Sequence, residues 1–288
     1  MNNTARRLAY LVAAALITSG CATSQGATHS PSVGSTPSPA TPSSGAADTG
    51  PLTSTGLFDI GGGQRLYVKC EGEGSPTIIL EAGDESDSGV WGPAFQDRLA
   101  EHTRTCAYDR RGLGQSDPAS GCRELPDLVG DLERLLSAAA IEAPYVLVGT
   151  SGGGYIEVEF AVGHKPDIAG MVIIDTSQPY IDPPPDLVEE TSCTRPGNVE
   201  RRNFLQVEKQ AWAMREEIGD IPVTIMSVEY TRSSEINEKQ NVTGQQGWLV
   251  LSPRAEQLIV HTGHVVFQDD PDLVIREILN VLAAAKAA

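Results

Sequence analysis

The chain has 288 residues and a formal net charge of −17, with 38 acidic against 21 basic side chains. Such an acidic protein repels the phosphate backbone, so nucleic acid is excluded as an expected partner. The length suits one sizeable folded domain together with segments that do not fold.

The first 20 residues have the pattern of a secretory signal peptide. Arg6 and Arg7 precede an apolar run over residues 8–17, which is too short to span a bilayer, and small residues follow it. Cys21 comes next, an arrangement that resembles the lipobox of bacterial lipoproteins, in which the cysteine is acylated. The resemblance implies an extracytoplasmic protein, lipid-anchored to the bacterial cell membrane through Cys21. Cleavage without lipidation would give a secreted protein instead.

Residues 21–55 consist largely of Ser, Thr, Pro, Gly and Ala. A segment with so few large apolar side chains buries too little surface to offset its loss of chain entropy. We therefore expect a disordered tether over 21–55 and a folded domain over 56–288.

Strand-like and helix-like segments alternate within the folded domain. Alternating polarity over 64–70, after three glycines, predicts a strand entered through a hairpin, and continuous apolar runs predict strands buried on both faces of a parallel sheet. The buried strands are predicted at 77–80, 145–148, 171–174 and 223–228, and helices at 91–102, 125–140, 155–162 and 273–284. This order predicts an α/β fold with a mostly parallel central sheet flanked by helices. Residues 176–219 break the alternation, so we expect a small cap inserted after the sixth strand.

A Gly-x-Ser-x-Gly motif lies at 149–153, directly between a predicted strand and a predicted helix. Glycines on both sides let a serine adopt a strained turn that exposes its hydroxyl at the edge of the sheet. This context predicts Ser151 as a nucleophile. Because serine is unreactive at its own pKa, it needs a base and a third group that orients the base.

From Leu66 to the C-terminus the chain resembles α/β-hydrolases of the lipase, esterase and peptidase superfamily. The resemblance rests on the serine motif, on Tyr-Asp-Arg-Arg-Gly-Leu-Gly-Gln-Ser-Asp at 108–117, and on Gly-His at 263–264 ahead of the last predicted helix. It implies the α/β-hydrolase fold. The charged side chains at 109–111 are expected to order their loop by structural pairing.

The resemblance also implies a catalytic triad that begins with Ser151. His264 matches the catalytic histidine, whereas His261 falls on the side of the preceding strand. Asp175 matches the acid that some family members place after the sixth strand, and Glu229 matches the position after the seventh strand that most members use. We prefer Asp175 as the acid and keep Glu229 as the alternative.

An oxyanion hole is implied by the same resemblance, formed by the backbone N–H groups of Gly152 and Asp84. Ala82-Gly83 stands where many family members have His-Gly, but only backbone groups are needed for this role. Glu85 and Asp87 make this loop acidic together with Asp84. We expect these three side chains to face solvent, with recognition of a cationic substrate group as the alternative.

Besides Cys21, the chain has four cysteines, an even number typical of structural disulfides outside the cytoplasm. No Cys/His spacing predicts a metal site. In the family's sheet order the second and fourth strands are neighbours, which implies a Cys70–Cys106 bridge. Cys122 and Cys193 would then join each other and pin the cap.

These resemblances imply a serine hydrolase that cleaves an ester or related acyl bond in a small molecule through an acyl-Ser151 intermediate, without a cofactor. Two alternatives remain open. One is a peptidase that removes N-terminal residues with the same triad, and the other is a non-catalytic surface binding protein that keeps the fold.

Overall fold

A computed structural model describes residues 54–180, 182–230 and 242–287. The strands are β1 (Thr55–Asp59), β2 (Arg65–Glu71), β3 (Thr77–Glu81), β4 (Thr105–Tyr108), β5 (Tyr145–Thr150), β6 (Ile168–Ile174), β7 (Val223–Val228) and β8 (Ala255–Val260). The helices are α1 (Pro93–Ala100), α2 (Leu125–Ala138), α3 (Gly152–Gly163), α4 (Pro185–Glu190), α5 (Phe204–Met214), α6 (Val266–Asp269) and α7 (Pro271–Lys286). The predicted signal peptide, Cys21 and all but the last two residues of the predicted tether lie outside the described residues.

The eight strands form one sheet in the order β1-β2-β4-β3-β5-β6-β7-β8. β1 and β2 form the predicted hairpin and β2 runs antiparallel to β4, whereas every pairing from β4 to β8 is parallel. The mostly parallel sheet predicted from the sequence is therefore present. Since parallel strands end at one edge, the residues after β3, β5, β6 and β8 lie near one another.

Helices cover both faces of the sheet. Side chains of α2, α3 and α5 form one buried cluster with the sheet, and those of α1, α6 and α7 form the other. In β5, alternate residues serve the two clusters: Leu147 belongs to the first, and Val146 and Val148 belong to the second. Each such side chain contributes about 1.5–3 kcal/mol through burial, so β5 is anchored from both sides.

Local sequence signals explain where the helices begin. α2 starts at a capping box in which the Asp127 carboxylate accepts from the Glu124 backbone N–H at 2.9 Å. Pro271 is the first residue of α7, after Asp270, whose carboxylate accepts from the Leu273 backbone N–H at 3.0 Å. Each of these carboxylates accepts from a backbone N–H group that would otherwise have no partner at the start of a helix.

β6 begins at Ile168, three residues before the predicted start at 171. The sequence hides this beginning because Gly170 interrupts the apolar run. A methyl group built on Gly170 would lie 2.5 Å from Val281 Cγ1, so glycine is required there for α7 to pack on the strand. Gly170 therefore lies inside β6, where the packing of α7 requires a glycine, and does not mark the end of the strand.

The segment predicted as a cap lies between β6 and β7 and contains α4 and α5. Val207 and Ala211 of α5 are fully buried in the cluster that α3 also joins. Arg123 and Arg202 form a parallel bridge that ties the start of this helix to the residues before α2. None of the helices in the described part of the chain is both long and apolar enough to cross a bilayer.

Candidate active site

The turn between β5 and α3 places Ser151 at the carboxyl edge of the sheet, with φ 50° and ψ −125°. Its two flanking glycines are required by close packing. A methyl group on Gly149 would lie 2.7 Å from Gly154 Cα, and one on Gly153 would lie 2.5 Å from the Ala82 carbonyl oxygen. The motif therefore forms the strained strand-to-helix turn that the sequence predicted.

His264 lies in the loop between β8 and α6, within reach of the serine. Its Nε2 is 3.0 Å from Ser151 Oγ, and its Nδ1 is 2.7 Å from Asp175 Oδ2. The loop is held from the other side by Gly263, whose backbone N–H donates to the Asp269 carboxylate at 2.7 Å. This geometry allows His264 to take a proton from the serine hydroxyl while Asp175 accepts from its other ring nitrogen.

Asp175 follows β6 directly, and its side chain is buried. Its Oδ1 accepts from Gln245 Nε2 at 2.8 Å and from the Val228 backbone N–H at 3.3 Å. The Tyr230 hydroxyl donates to Oδ2, the oxygen that also faces His264. Sequence analysis does not identify Gln245 or Tyr230 as partners, because they lie 70 and 55 residues away along the chain.

Glu229, the alternative acid, lies beside the other histidine. Its carboxylate is 3.1 Å from His261 Nδ1, and the His261 side chain is exposed whereas that of Glu229 is about half-buried. Of the two candidate acids, Asp175 is the one that the structure brings against His264.

Two pKa values reflect this arrangement. The hydrogen bond to Asp175 raises the pKa of His264 above its ordinary value, the charges of Asp175 and Asp84 add to the rise, and partial burial opposes it. Burial raises the pKa of Tyr230 well above its usual range, and the Asp175 charge adds to the effect. Tyr230 therefore stays protonated and donates to Asp175 throughout the physiological pH range.

The loop after β3 lies directly against the serine turn. A methyl group on Gly83 would lie 3.2 Å from Ser151 Cβ, and one on Gly152 would lie 1.7 Å from Asp84 Oδ1. The backbone of this loop is fixed by Arg110, which donates to the carbonyl oxygens of Ala82 at 2.7 Å and Gly83 at 2.6 Å. The two residues expected to form the oxyanion hole, Gly152 and Asp84, are thus in contact.

Residues 109–111 make structural pairings. Arg110 is buried between the carboxylates of Glu81 and Glu200. Asp109 accepts from the backbone N–H groups of Ser88 and Gln115, each at 2.8 Å. Their partners lie on β3, in the loops after β3 and β4, and in the cap.

The acidic side chains of the loop after β3 are not simply solvated, as the sequence had suggested. Asp84 Oδ1 lies 2.7 Å from Nη1 of the buried Arg202, and Glu85 forms an ion pair with Arg195. Asp87 accepts from the Gly89 backbone N–H at 2.9 Å and caps a short 3₁₀ helix. The cap brings arginines to this loop from more than 100 residues away, so its acidic side chains have partners that the local sequence does not reveal.

The four cysteines of the folded domain lie in two bonded pairs. Cys70 and Cys106 stand opposite each other on β2 and β4, with an S–S distance of 2.07 Å. Cys122 is joined to Cys193 of the cap, with an S–S distance of 1.92 Å. These are the pairs that the family resemblance implied. Among the described residues, no group of His, Cys, Asp and Glu side chains is arranged to hold a metal ion.

Known proteins similar to this chain include hydrolases. A family model described as "Serine aminopeptidase, S33" matches residues 76–195. "Uncharacterized protein YqjL" of Bacillus subtilis (strain 168) is 29% identical over 227 residues, which cover 75% of this chain and 87% of that protein. "Putative carbamate hydrolase RutD" of Azorhizobium caulinodans is 32% identical over 115 residues, which cover 40% of this chain and 42% of that protein. The match thus spans less than half of this second relative.

A solved structure shares the architecture. A thermophilic esterase from Thermogutta terrifontis superposes with a TM-score of 0.59 at 18% sequence identity, covering 77% of this chain and 94% of that chain. At this identity the likeness establishes the fold and says nothing of the substrate.

Proposed function

On the premise that this chain has the α/β-hydrolase fold and that its relatives support a hydrolase of that superfamily, we propose that it is a serine hydrolase. It cleaves an ester or related acyl bond in a small molecule. The observation that carries the proposal is the line of hydrogen-bonding groups from Ser151 Oγ through His264 to Asp175, with distances of 3.0 and 2.7 Å.

The geometry supports acyl transfer in two steps. His264 takes the proton of Ser151 as the hydroxyl attacks the substrate carbonyl, and the backbone N–H groups of Gly152 and Asp84 stabilise the oxyanion. His264 then protonates the leaving group, which departs and leaves an acyl-Ser151 ester. Water, activated by the same histidine, hydrolyses this ester and restores the serine.

A peptidase that removes N-terminal residues is the second candidate, favoured by the description of the family matched over 76–195. Such an enzyme needs a group that holds the substrate's ammonium. The acids of the loop after β3 are poor candidates for this role because Asp84 and Glu85 already pair with arginines of the cap. We therefore prefer an ester over a peptide as the substrate.

The test of the proposal is labelling with a fluorophosphonate, which reacts only with an activated serine. We expect the wild-type protein to be labelled and Ser151→Ala to be unlabelled. Absence of labelling in the wild type, or equal labelling of both proteins, would favour a non-catalytic binding protein. A panel of p-nitrophenyl acyl esters against aminoacyl arylamides then separates the two enzymatic candidates.

We also propose that the enzyme works outside the cytoplasm, tethered to the bacterial membrane through an acylated Cys21. The support is the signal-like pattern of Arg6, Arg7 and the apolar run at 8–17 ahead of that cysteine. Two disulfides in the folded domain agree with an oxidising compartment.

A further inference from the structure

Arg202, a residue of the cap, reaches the serine turn. Its side chain is fully buried, and its Nη2 donates to the Gly152 carbonyl oxygen at 2.8 Å. Its Nη1 lies 2.7 Å from Asp84 Oδ1, an ion-pair contact that does not have the angle of a hydrogen bond. One guanidinium therefore touches both residues whose backbone N–H groups are proposed to form the oxyanion hole.

Arg202 is held in place by backbone contacts. The Arg123 backbone N–H donates to the Arg201 carbonyl at 2.8 Å, and the Asn203 backbone N–H donates to the Arg123 carbonyl at 3.0 Å. The Asn198 side chain donates to the Arg202 carbonyl at 2.8 Å. With the segment fixed on both sides of Arg202, its guanidinium has a defined position against the serine turn.

The Asp84 carboxylate poses an electrostatic problem for the proposed reaction. Its Oδ1 lies against Gly152, at 1.7 Å from where a methyl group on that residue would be. Two negative charges a few Å apart repel strongly inside a protein, so an unpaired carboxylate here would raise the energy of the oxyanion. The charge of Asp84 already reaches the site, since it contributes to the raised pKa of His264.

Arg202 places a positive charge directly against this carboxylate. The nearby acid Glu208 does not disturb this pairing at neutral pH, because burial and the Asp84 charge raise the pKa of Glu208 to about 8. At pH 7 the Glu208 carboxyl group is therefore largely neutral. Arg110 lies in direct contact with the other two buried acids, Glu81 and Glu200, on which Arg202 also acts. Arg202 is the positive charge in direct contact with Asp84.

We propose that Arg202 is a positioning residue of the oxyanion hole: it holds Gly152 against Asp84 and neutralises the Asp84 carboxylate, so that negative charge can develop between them. This inference rests on the proposed serine hydrolase function. Through Arg202, the cap would contribute to the chemical step as well as cover the substrate.

The test compares Arg202→Met with the double variant Arg202→Met/Asp84→Asn, using the full chain and the best p-nitrophenyl ester at pH 7. Arg202→Met leaves the Asp84 charge unbalanced, so we expect kcat to fall about 10- to 100-fold with KM little changed. In the double variant the carboxylate is gone, and kcat should recover at least fivefold relative to Arg202→Met. Each rate is normalised to the fraction of serine that a fluorophosphonate labels.

A second readout separates charge compensation from a merely structural role. Phenylboronic acid forms a negatively charged tetrahedral adduct with an active serine. Its inhibition constant should rise in Arg202→Met by about the factor by which kcat/KM falls, and should fall again in the double variant. If Arg202→Met does not fold, Arg202→Lys replaces it and should lose less activity, because it keeps the charge without bridging both residues.

Arg195→Met is the matched control, since Arg195 is a cap arginine paired with the neighbouring Glu85. Its kcat should stay within twofold of the wild type. The inference is overturned if Arg202→Met retains kcat within threefold, or if the double variant is no better than the single one. A wild-type protein that neither labels nor hydrolyses any ester would instead overturn the proposed function itself.

Discussion

The carboxylate of Asp175 faces four hydrogen-bonding groups. Gln245 and Val228 donate to one oxygen, and Tyr230 and His264 face the other. Hydrogen bonds to a charged group contribute about 1.5–3 kcal/mol each, so the carboxylate is fixed before any substrate binds. A fixed acceptor holds the imidazole of His264 in the orientation that leaves Nε2 free to act on the serine.

Replacing Asp175 with asparagine tests this assignment. We expect kcat to fall about 10³- to 10⁴-fold, because the amide no longer holds His264 in the required tautomer. The pH profile should change as well. His264 acts as a base only when neutral, and Asp175 raises its pKa, so kcat/KM in the wild type should rise with pH around a midpoint above 6.5. In Asp175→Asn this midpoint should move to lower pH.

Glu229→Gln is the control for that experiment, since Glu229 pairs with His261 at the exposed edge of the site. It should keep kcat within threefold and leave the midpoint unchanged. Loss of activity in Glu229→Gln alone would assign the acid to Glu229 instead.

Glu157 of α3 is a fully buried carboxyl group with no hydrogen-bond partner for either oxygen among the described residues. Burial raises its pKa well above 4.5, and the nearby charge of Glu81 adds to the rise. The native state therefore keeps a proton that the unfolded chain releases above about pH 4.5, so this group lowers stability as pH increases.

Replacement of Glu157 with methionine should stabilise the protein by about 1–3 kcal/mol, since an unpartnered buried polar group is removed at similar volume. The gain should be larger at pH 8 than at pH 5, as measured by urea unfolding. Glu133→Met, on the exposed face of α2, should change stability by no more than about 0.5 kcal/mol at either pH. An equal gain for Glu157→Met at both pH values would contradict the assignment of a neutral buried acid.

At the scale of elements, the parts that sequence predicts best are those set by local pattern. The runs at 77–80 and 223–228 were recognisable as strands because every side chain in them is buried. The motif around Ser151 was recognisable because its glycines and serine lie within five consecutive residues between a predicted strand and a predicted helix. The four-residue strand β4 was not recognisable by periodicity alone and was expected only from the family resemblance.

The contacts that could not be predicted from the sequence are those between side chains that lie far apart in the chain and meet only in the folded protein. Asp175 and Glu229 both follow strands, so the sequence favoured Asp175 but left Glu229 open. The contact of Asp175 with His264 and of Glu229 with His261 arises only in the folded chain. The arginines that pair with Asp84 and Glu85 come from the cap, in a segment without periodicity. No local signal marks such partners.

The two disulfides should differ in their effect on function. Cys122–Cys193 and Cys70–Cys106 close loops of 71 and 36 residues, so removal of either should lower stability by about 2–4 kcal/mol. Only the first ties the cap to the rest of the domain. We therefore expect Cys122→Ser/Cys193→Ser to lower kcat, whereas Cys70→Ser/Cys106→Ser should keep it, because β2 and β4 remain paired by backbone hydrogen bonds.

Steady-state kinetics and urea unfolding of the two double variants measure these effects. Comparable kcat values for both would show that the cap does not depend on its disulfide for its position.

At the scale of the whole molecule, the proposed anchor and the folded domain should be separable in experiment. The described sheet begins at Thr55, so more than 30 residues lie between Cys21 and β1. We expect Cys21→Ser to move the protein from the membrane fraction to the soluble fraction of a bacterial host, with kcat unchanged. Fractionation followed by fluorophosphonate labelling measures both quantities. A Cys21→Ser protein that stays with the membrane would contradict lipid anchoring at this residue.

The backbone at the reactive centre has an evolutionary consequence. Ser151 has φ 50° and Asp175 has φ 48°, values that non-glycine residues rarely adopt and that cost on the order of 1–3 kcal/mol each. Selection for stability alone would favour glycine or asparagine at these positions, and under the proposed function either replacement would remove most of the catalytic activity. Under the proposed function, a lineage that keeps Ser and Asp at these two positions is one selected for catalytic turnover, and loss of either residue would mark a descendant that has abandoned it.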